Sequence, residues 1–170
     1  IYGQQIKHLG VYDGIRSGAV RAFEKDSLGY MWIGTSQGLN RYSGYQFKNY
    51  DKFLSSGVVD IISENGNLFV LGAKGELLKY SYEQDTFKQI LALKNVKFLS
   101  FKILNSTTII IGLQKGLLVY DLESKSLSKV LHYNAMFNRR IHLKENKIYV
   151  ATTKGIIVYD YVQNPTRLVK

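Results

Sequence analysis

Short runs of apolar, β-branched or aromatic residues recur along the chain, separated by polar segments rich in Gly, Asn, Asp, Ser and Lys. No eleven-residue window sustains a 3.6-residue apolar period, so the pattern predicts strands and essentially no helix. Several runs, such as TIIIG (108–112) and GLLVY (116–120), are apolar at consecutive positions. That is the pattern of strands covered on both faces, as when sheets are sandwiched between sheets.

The runs repeat. GTSQGLNRY (34–42), GAKGELLKY (72–80), GLQKGLLVY (112–120) and ATTKGIIVY (151–159) align so that Tyr42, Tyr80, Tyr120 and Tyr159 share one column. The spacings between these tyrosines are 38, 40 and 39 residues, and a period near forty is the sequence sign of a repeat architecture. A small residue, Gly34, Gly72, Gly112 or Ala151, stands eight positions before each tyrosine. The tyrosines are expected to fill the gap between successive units, and the small residues to let backbones approach there. Trp32 shares its column with Val70, Ile110 and Tyr149, which places it in the core rather than on a sugar-stacking surface.

Each repeat divides into four short strands bounded by turn chemistry. The first predicts strands at 20–25, 30–34, 39–42 and 46–50; the second at 58–63, 68–72, 77–80 and 87–90. The third predicts 97–104, 108–112, 117–121 and 127–131; the fourth 139–143, 148–152, 156–160 and 167–169, with Pro165 between its last two strands. Four-stranded units at a regular period describe an all-β chain, a β-propeller of about four blades, whereas a solenoid would need less regular units. The predicted organisation is an N-terminal closing strand and loop over 1–19, followed by blades at 20–57, 58–95, 96–135 and 136–170. The closing strand is expected at 6–11, where it could pair with a last blade and remove exposed edges.

Composition narrows the chemistry. With 45% hydrophobic and 13% aromatic residues the chain can build a core. It has no cysteine, which excludes disulfides and thiolate catalysis. His8, His132 and His142 lack the spacing of a metal ligand set, so no metal and no cofactor are expected. No apolar run nears the roughly 20 residues of a membrane span, and no signal peptide is legible. The formal charge of +10 favours an acidic partner. It is spread through every repeat, without the dense basic cluster or recognisable module of a nucleic-acid binder.

The turns between second and third strands carry the candidate ligand residues. Gln37, Lys74, Lys115 and Lys154 occupy nearly matching places in TSQG, AKG, LQKG and TTKG. In a propeller these turns emerge on one face around the central channel, where lysines can attract an anion; lysine beside glycine is also a common solvated turn. Arg16, in the loop before the first repeat, joins this candidate set. Catalysis has little support, because Asp13, Asp26, Asp60 and Asp85 fall mostly in turns or at strand ends with no readable pairing.

The stretch VRAFEKDSLGYMWIGTSQGLNRYSGYQFKNY (20–50) closely resembles the first repeat of the two-component regulator propeller family. Val20, Arg21, Asp26, Gly29, Trp32, Gly34, Thr35, Gly38, Leu39, Arg41, Tyr42, Gly44 and Phe47 match its pattern in fixed register, and HLGVYDGI (8–15) is similar to the segment that opens such ectodomains. Ser43 stands where the family usually has aspartate, and later repeats keep only the glycine, apolar and tyrosine skeleton. The resemblance implies the opening arc of a seven-bladed propeller in the periplasmic sensor region of a hybrid two-component histidine kinase, the ectodomain of an inner-membrane protein. It further implies an oligosaccharide ligand, the remaining blades of the same ectodomain and a homodimer in the full-length protein, with no enzyme activity in this segment. A protein-interaction scaffold and a glycan-active enzyme are the alternatives.

Overall fold

The structure is a computed structural model and describes residues 6–54, 57–131, 137–161 and 168–169; His132 and Pro165 lie outside them. It consists of four antiparallel sheets of four strands, each built from consecutive segments. The first sheet contains β1 (Val20–Lys25), β2 (Met31–Thr35), β3 (Gly38–Tyr42) and β4 (Phe47–Asn49). The second contains β5 (Val58–Glu64), β6 (Asn67–Gly72), β7 (Glu76–Ser81) and β8 (Thr86–Ala92). The third contains β9 (Phe98–Ile103), β10 (Thr108–Leu113), β11 (Gly116–Asp121) and β12 (Leu127–Leu131). The fourth contains β13 (Phe137–Lys144), β14 (Lys147–Thr152), β15 (Gly155–Tyr161) and β16 (Leu168–Val169).

The first strands of successive sheets lie side by side, β1 against β5, β5 against β9 and β9 against β13. They therefore surround an axis, and the sheets radiate from it as blades of a β-propeller. The predicted strands agree with these elements to within two residues at most ends. Among the described residues the helical segments are 3₁₀ turns, at Val11–Asp13 and Asp51–Phe53, and no helix is long and apolar enough to cross a membrane.

The core lies between blades. Trp32 and Leu39 of the first face Val58, Ile61, Leu68, Val70, Leu78 and Tyr80 of the second. Phe69, Leu71 and Leu77 on the other side of that blade face Phe98, Phe101, Ile109 and Ile111. Ile110, Leu117 and Val119 then meet Ile141, Ile148 and Val150. Both faces of the middle blades are thus buried, which is why their strands read as continuous apolar runs. Position explains the exceptions: Leu117 is fully buried, but Ile156 at the same column of the fourth blade is 72% exposed, since no described blade follows it.

The small-residue column has a specific use. A Cβ at Gly34 would stand 2.4 Å from Val58 Cγ1, and one at Gly72 would stand 2.9 Å from Leu54 Cδ2. What approaches Gly34 is the first inward side chain of the next blade rather than a backbone. Tyr80, Tyr120 and Tyr159 are buried and belong to the cores between blades. Tyr42 is the exception, stacked on Phe47 at 4.6 Å with its hydroxyl donating to Gly44 O, because its blade has no described predecessor to pack against.

The strand expected at 6–11 does not form. Residues 6–10 carry no strand, and Val11–Asp13 is a 3₁₀ turn. At the end of this segment the Asp13 carboxylate accepts the Gly10 N–H at 2.7 Å and closes the turn. The following loop docks on the first blade instead: Arg16 N–H donates to Asn40 Oδ1 at 2.9 Å, and Ser36 N–H donates to Ala19 O at 3.0 Å.

Candidate functional site

The turns between second and third strands all point to the same end of the axis, because every blade has the same up-and-down topology. The loop entering each first strand arrives at this end too. Ala73 N–H donates to Gly57 O at 3.0 Å in the second blade, as Ser36 does to Ala19 in the first. In the first and fourth blades a threonine organises the turn. Thr35 Oγ1 donates to Gly38 O and accepts the Gln37 N–H; Thr152 Oγ1 does the same with Gly155 O and the Lys154 N–H. In the second blade Glu76 takes over by accepting the Lys74 N–H at 3.0 Å.

The side chains of Arg16, Gln37, Lys74, Lys115 and Lys154 are all exposed. Each of the four turn residues stands on its own blade, and Arg16 stands in the entering loop. None of the five lines the cavity on the axis. That cavity, about 570 Å³, is lined by Arg21, Val59, Asp60, Ala73, Lys97, Phe98, Leu99 and Arg140. Ala73 brings its rim to the turn that carries Lys74.

A common distortion builds this cavity. The ladder of each first strand with its neighbour is interrupted near its entry: between Val20 and Ala22, between Val58 and Asp60, between Phe98 and Ser100, and between Phe137 and Ile141. The interrupting residues include Arg21, Val59, Leu99 and Arg140, all four of which line the cavity. A bulge adds an unpaired residue and re-aims a side chain, so a break in each of the four strands, one residue long in the first three and three residues long (138–140) in the fourth, places four side chains around one axis. Two are arginines and two are aliphatic.

Asp60 is the cavity's carboxylate. Burial raises its pKa, opposed by the Ile61 N–H at 3.0 Å, by the Lys102 charge, by the Phe101 N–H and by the Arg140 charge. Glu24, deeper along β1, is also raised, by burial first, with the Ser63 N–H opposing and Asp60 adding to the rise. Arg21, Lys97 and Arg140 form no ion pair or side-chain hydrogen bond with one another or with Asp60 among the described residues. Neither are three or more His, Asp or Glu side chains grouped to hold a metal ion among those residues.

Sequence reading passed over this cavity because its charges share no column. Two carboxylates whose pairing is not legible in the sequence, Asp26 and Asp85, are structural. Asp26 accepts the Leu28 and Tyr30 N–H groups and, at 2.7 Å, the Trp32 indole N–H, fastening the buried tryptophan to the turn before its strand. Asp85, in the second blade, joins it to the first through Arg41, Lys48 and Tyr50, and takes a further bond from Tyr80 of its own blade.

Residues 14–37, which include the entering loop, Arg21 and Trp32, match the two-component regulator propeller family. That segment is similar to one repeat of this family. Histidine kinase P4 of Formosa agariphila is 42% identical over 38 residues, covering 22% of this chain and 3% of that kinase. The extracellular domain of the hybrid two-component system BT3049 of B. thetaiotaomicron superposes with a TM-score of 0.71 at 16% identity, over 96% of this chain and 26% of that one. The extracellular domain of BT4673 from the same organism gives 0.68 at 24% identity, over 91% and 22%. The chain therefore spans about a quarter or less of these relatives. The likeness to these ectodomains, together with the four radiating sheets, shows the propeller fold.

Proposed function

We propose that this chain is part of a ligand-sensing propeller in the extracytoplasmic, periplasmic region of a hybrid two-component sensor histidine kinase anchored in the inner membrane. The segment itself is non-catalytic. It binds an oligosaccharide carrying acidic groups and, with the remaining blades of its ectodomain, passes the event to the kinase through the geometry of a homodimer. Such signalling requires the ligand to bind one geometry more tightly than the other.

The observation that carries this reading is the regulator-propeller repeat at 14–37. Supporting it, the turns bearing Lys74, Lys115 and Lys154 share one face, and the chain carries a formal charge of +10. A face of that sign raises the local concentration of acidic glycans. The test is calorimetric titration of the intact ectodomain with oligogalacturonate and with neutral oligosaccharides of equal length. Acidic glycan should bind, and exchange of Lys74, Lys115 and Lys154 together for Gln should weaken it. Absence of oligosaccharide binding, or unchanged affinity in the triple variant, overturns the reading.

A further inference from the structure

We propose that the cavity on the propeller axis is the subsite for the charged group of an acidic sugar, with Arg21 and Arg140 holding its carboxylate or sulfate. This rests on the sensing function proposed above and adds, below the turn lysines and on the first strands, a second point of charge recognition.

Four features converge. The lining includes three cations, Arg21, Lys97 and Arg140, against one carboxylate, Asp60. Arginine's planar fork of N–H donors matches a carboxylate or sulfate with two parallel hydrogen bonds, which suits it to this task better than a point charge. Arg21 and Arg140 enter from the first and fourth blades, and each stands at a break in its strand's ladder rather than in regular pairing. Such a break is the means by which a sheet redirects a side chain.

The remaining positions of the ring are not charged. Val59 and Leu99, at the matching breaks of the second and third blades, give the cavity an apolar wall beside the cations. A bare inorganic anion gains nothing from that wall, whereas a sugar ring presents C–H groups to it. Asp60 stands next to Val59 and can accept a sugar hydroxyl. Lys102 and Glu24 add one charge of each sign around Asp60, leaving the cation excess in place. At about 570 Å³ the space suits one or two sugar units, within the range of small-molecule sites.

The test is a titration at fixed ionic strength with three probes: sodium glucuronate, inorganic sulfate and glucose. It uses the intact ectodomain and its Arg21→Gln, Arg140→Gln and double variants. Both arginines are exposed, so the variants should unfold at the temperature of the parent. Glucuronate should bind more tightly than sulfate, and glucose more weakly than either. Each single change should weaken glucuronate about tenfold, as loss of a charge-assisted pair implies, with little effect on glucose. Arg→Lys should recover only part of the loss. Equal glucuronate affinity in the parent and the double variant overturns the proposal, and so does sulfate binding as tightly as glucuronate. The two proposals fail separately. If oligogalacturonate binds the double variant as well as the parent, the axial subsite is wrong and the sensing function stands. If no oligosaccharide binds but glucuronate binding depends on the arginines, the sensing function is wrong and the subsite stands.

Discussion

The joint between the first two blades and the joint between the second and third are built on the same frame with different chemistry. At the first, Trp32, Tyr50, Tyr80 and Phe87 form an aromatic cluster with centroids 4.8 to 6.1 Å apart. Its outer edge is sealed by Asp85, which takes hydrogen bonds from Arg41 at 3.0 Å, from Tyr50 at 2.5 Å, and from Tyr80 and Lys48. Arg41 also lies 4.4 Å above the Tyr30 ring. At the second joint Phe69, Leu71 and Leu77 meet Phe98, Phe101, Ile109 and Ile111. Its described side-chain hydrogen bond between blades runs from the Tyr120 hydroxyl to Ile90 O, at 2.7 Å. Apolar contact stacks any two complementary sheets, while a carboxylate taking three donors from the neighbouring blade accepts one partner in one register. The first joint therefore resists a misplaced neighbour as well as separation.

The largest expected effect removes the aromatic anchor. Trp32→Ala empties the centre of the first joint and should cost about 3–5 kcal/mol, as for other large aromatic truncations. Phe101→Ala does the same to the second joint and falls in the same range, since both rings are fully buried. The difference should appear in how the chain unfolds. Energetics between nearest neighbours dominate a repeat array, so urea melts followed by hydrogen exchange should show the damage confined to the first two blades in one variant and the middle blades in the other. Uniform loss of protection across all blades in both variants would show that the joints are not independent.

A smaller effect isolates the charge. Burial disfavours ionisation of Asp85, but the bonds from Lys48, Tyr50 and Tyr80 and the Arg41 charge outweigh it and hold the carboxyl well below the usual carboxylate range. Its partner Tyr80 is pushed up to about 12 by burial and by this same bond. A pKa lowered on folding means that the contribution is complete above the unfolded value, near 3.9, and is lost as pH falls below it toward the folded value. Asp85 lies at φ 48° in its turn, a conformation asparagine also tolerates, so Asp85→Asn changes charge with little change of backbone. With the side chain 39% exposed, solvent screening reduces the expected cost to about 1–2 kcal/mol at pH 7. Denaturant melts of parent and variant should converge as pH is lowered from 4 to 2, and a constant gap over that interval would remove the charge from the account.

Much of this arrangement is written in the repeat. The period, the four strands per unit and the between-blade placement of Trp32, Tyr80, Tyr120 and Tyr159 follow from columns, because every blade must solve the same packing problem. What escapes the columns is whatever a single blade does alone. Asp85 sits in one turn and reaches a different blade, and Asp13 closes a turn on Gly10 before the first blade. The axial cavity is hidden for a related reason. Its bulges recur in every blade, but they shift the ladder by a residue or more, and the side chains they expose differ: Arg21, Val59, Leu99, Arg140. A backbone feature repeated with varied side chains leaves no residue column to read.

The smallest effect tests whether the second joint has any polar registration at all. Tyr120 is 3% exposed and its ring belongs to the apolar cluster, so Tyr120→Phe retains nearly all of the buried area and deletes one hydroxyl. The Ile90 carbonyl loses its side-chain donor, which should cost about 0.5–1.5 kcal/mol, the net worth of one neutral hydrogen bond. Unlike Asp85→Asn, the loss should be independent of pH between 7 and 2, because neither the phenol nor the carbonyl titrates there. Denaturant midpoints for the two variants at both ends of that range give the comparison. A pH-independent loss for Tyr120→Phe, beside a loss that shrinks in acid for Asp85→Asn, would establish that one joint is held by packing and a neutral bond and the other by packing and charge. If Tyr120→Phe costs nothing, the second joint is held by shape alone, and the register of the third blade must come from how Phe98 and Phe101 seat against Phe69 and Leu71.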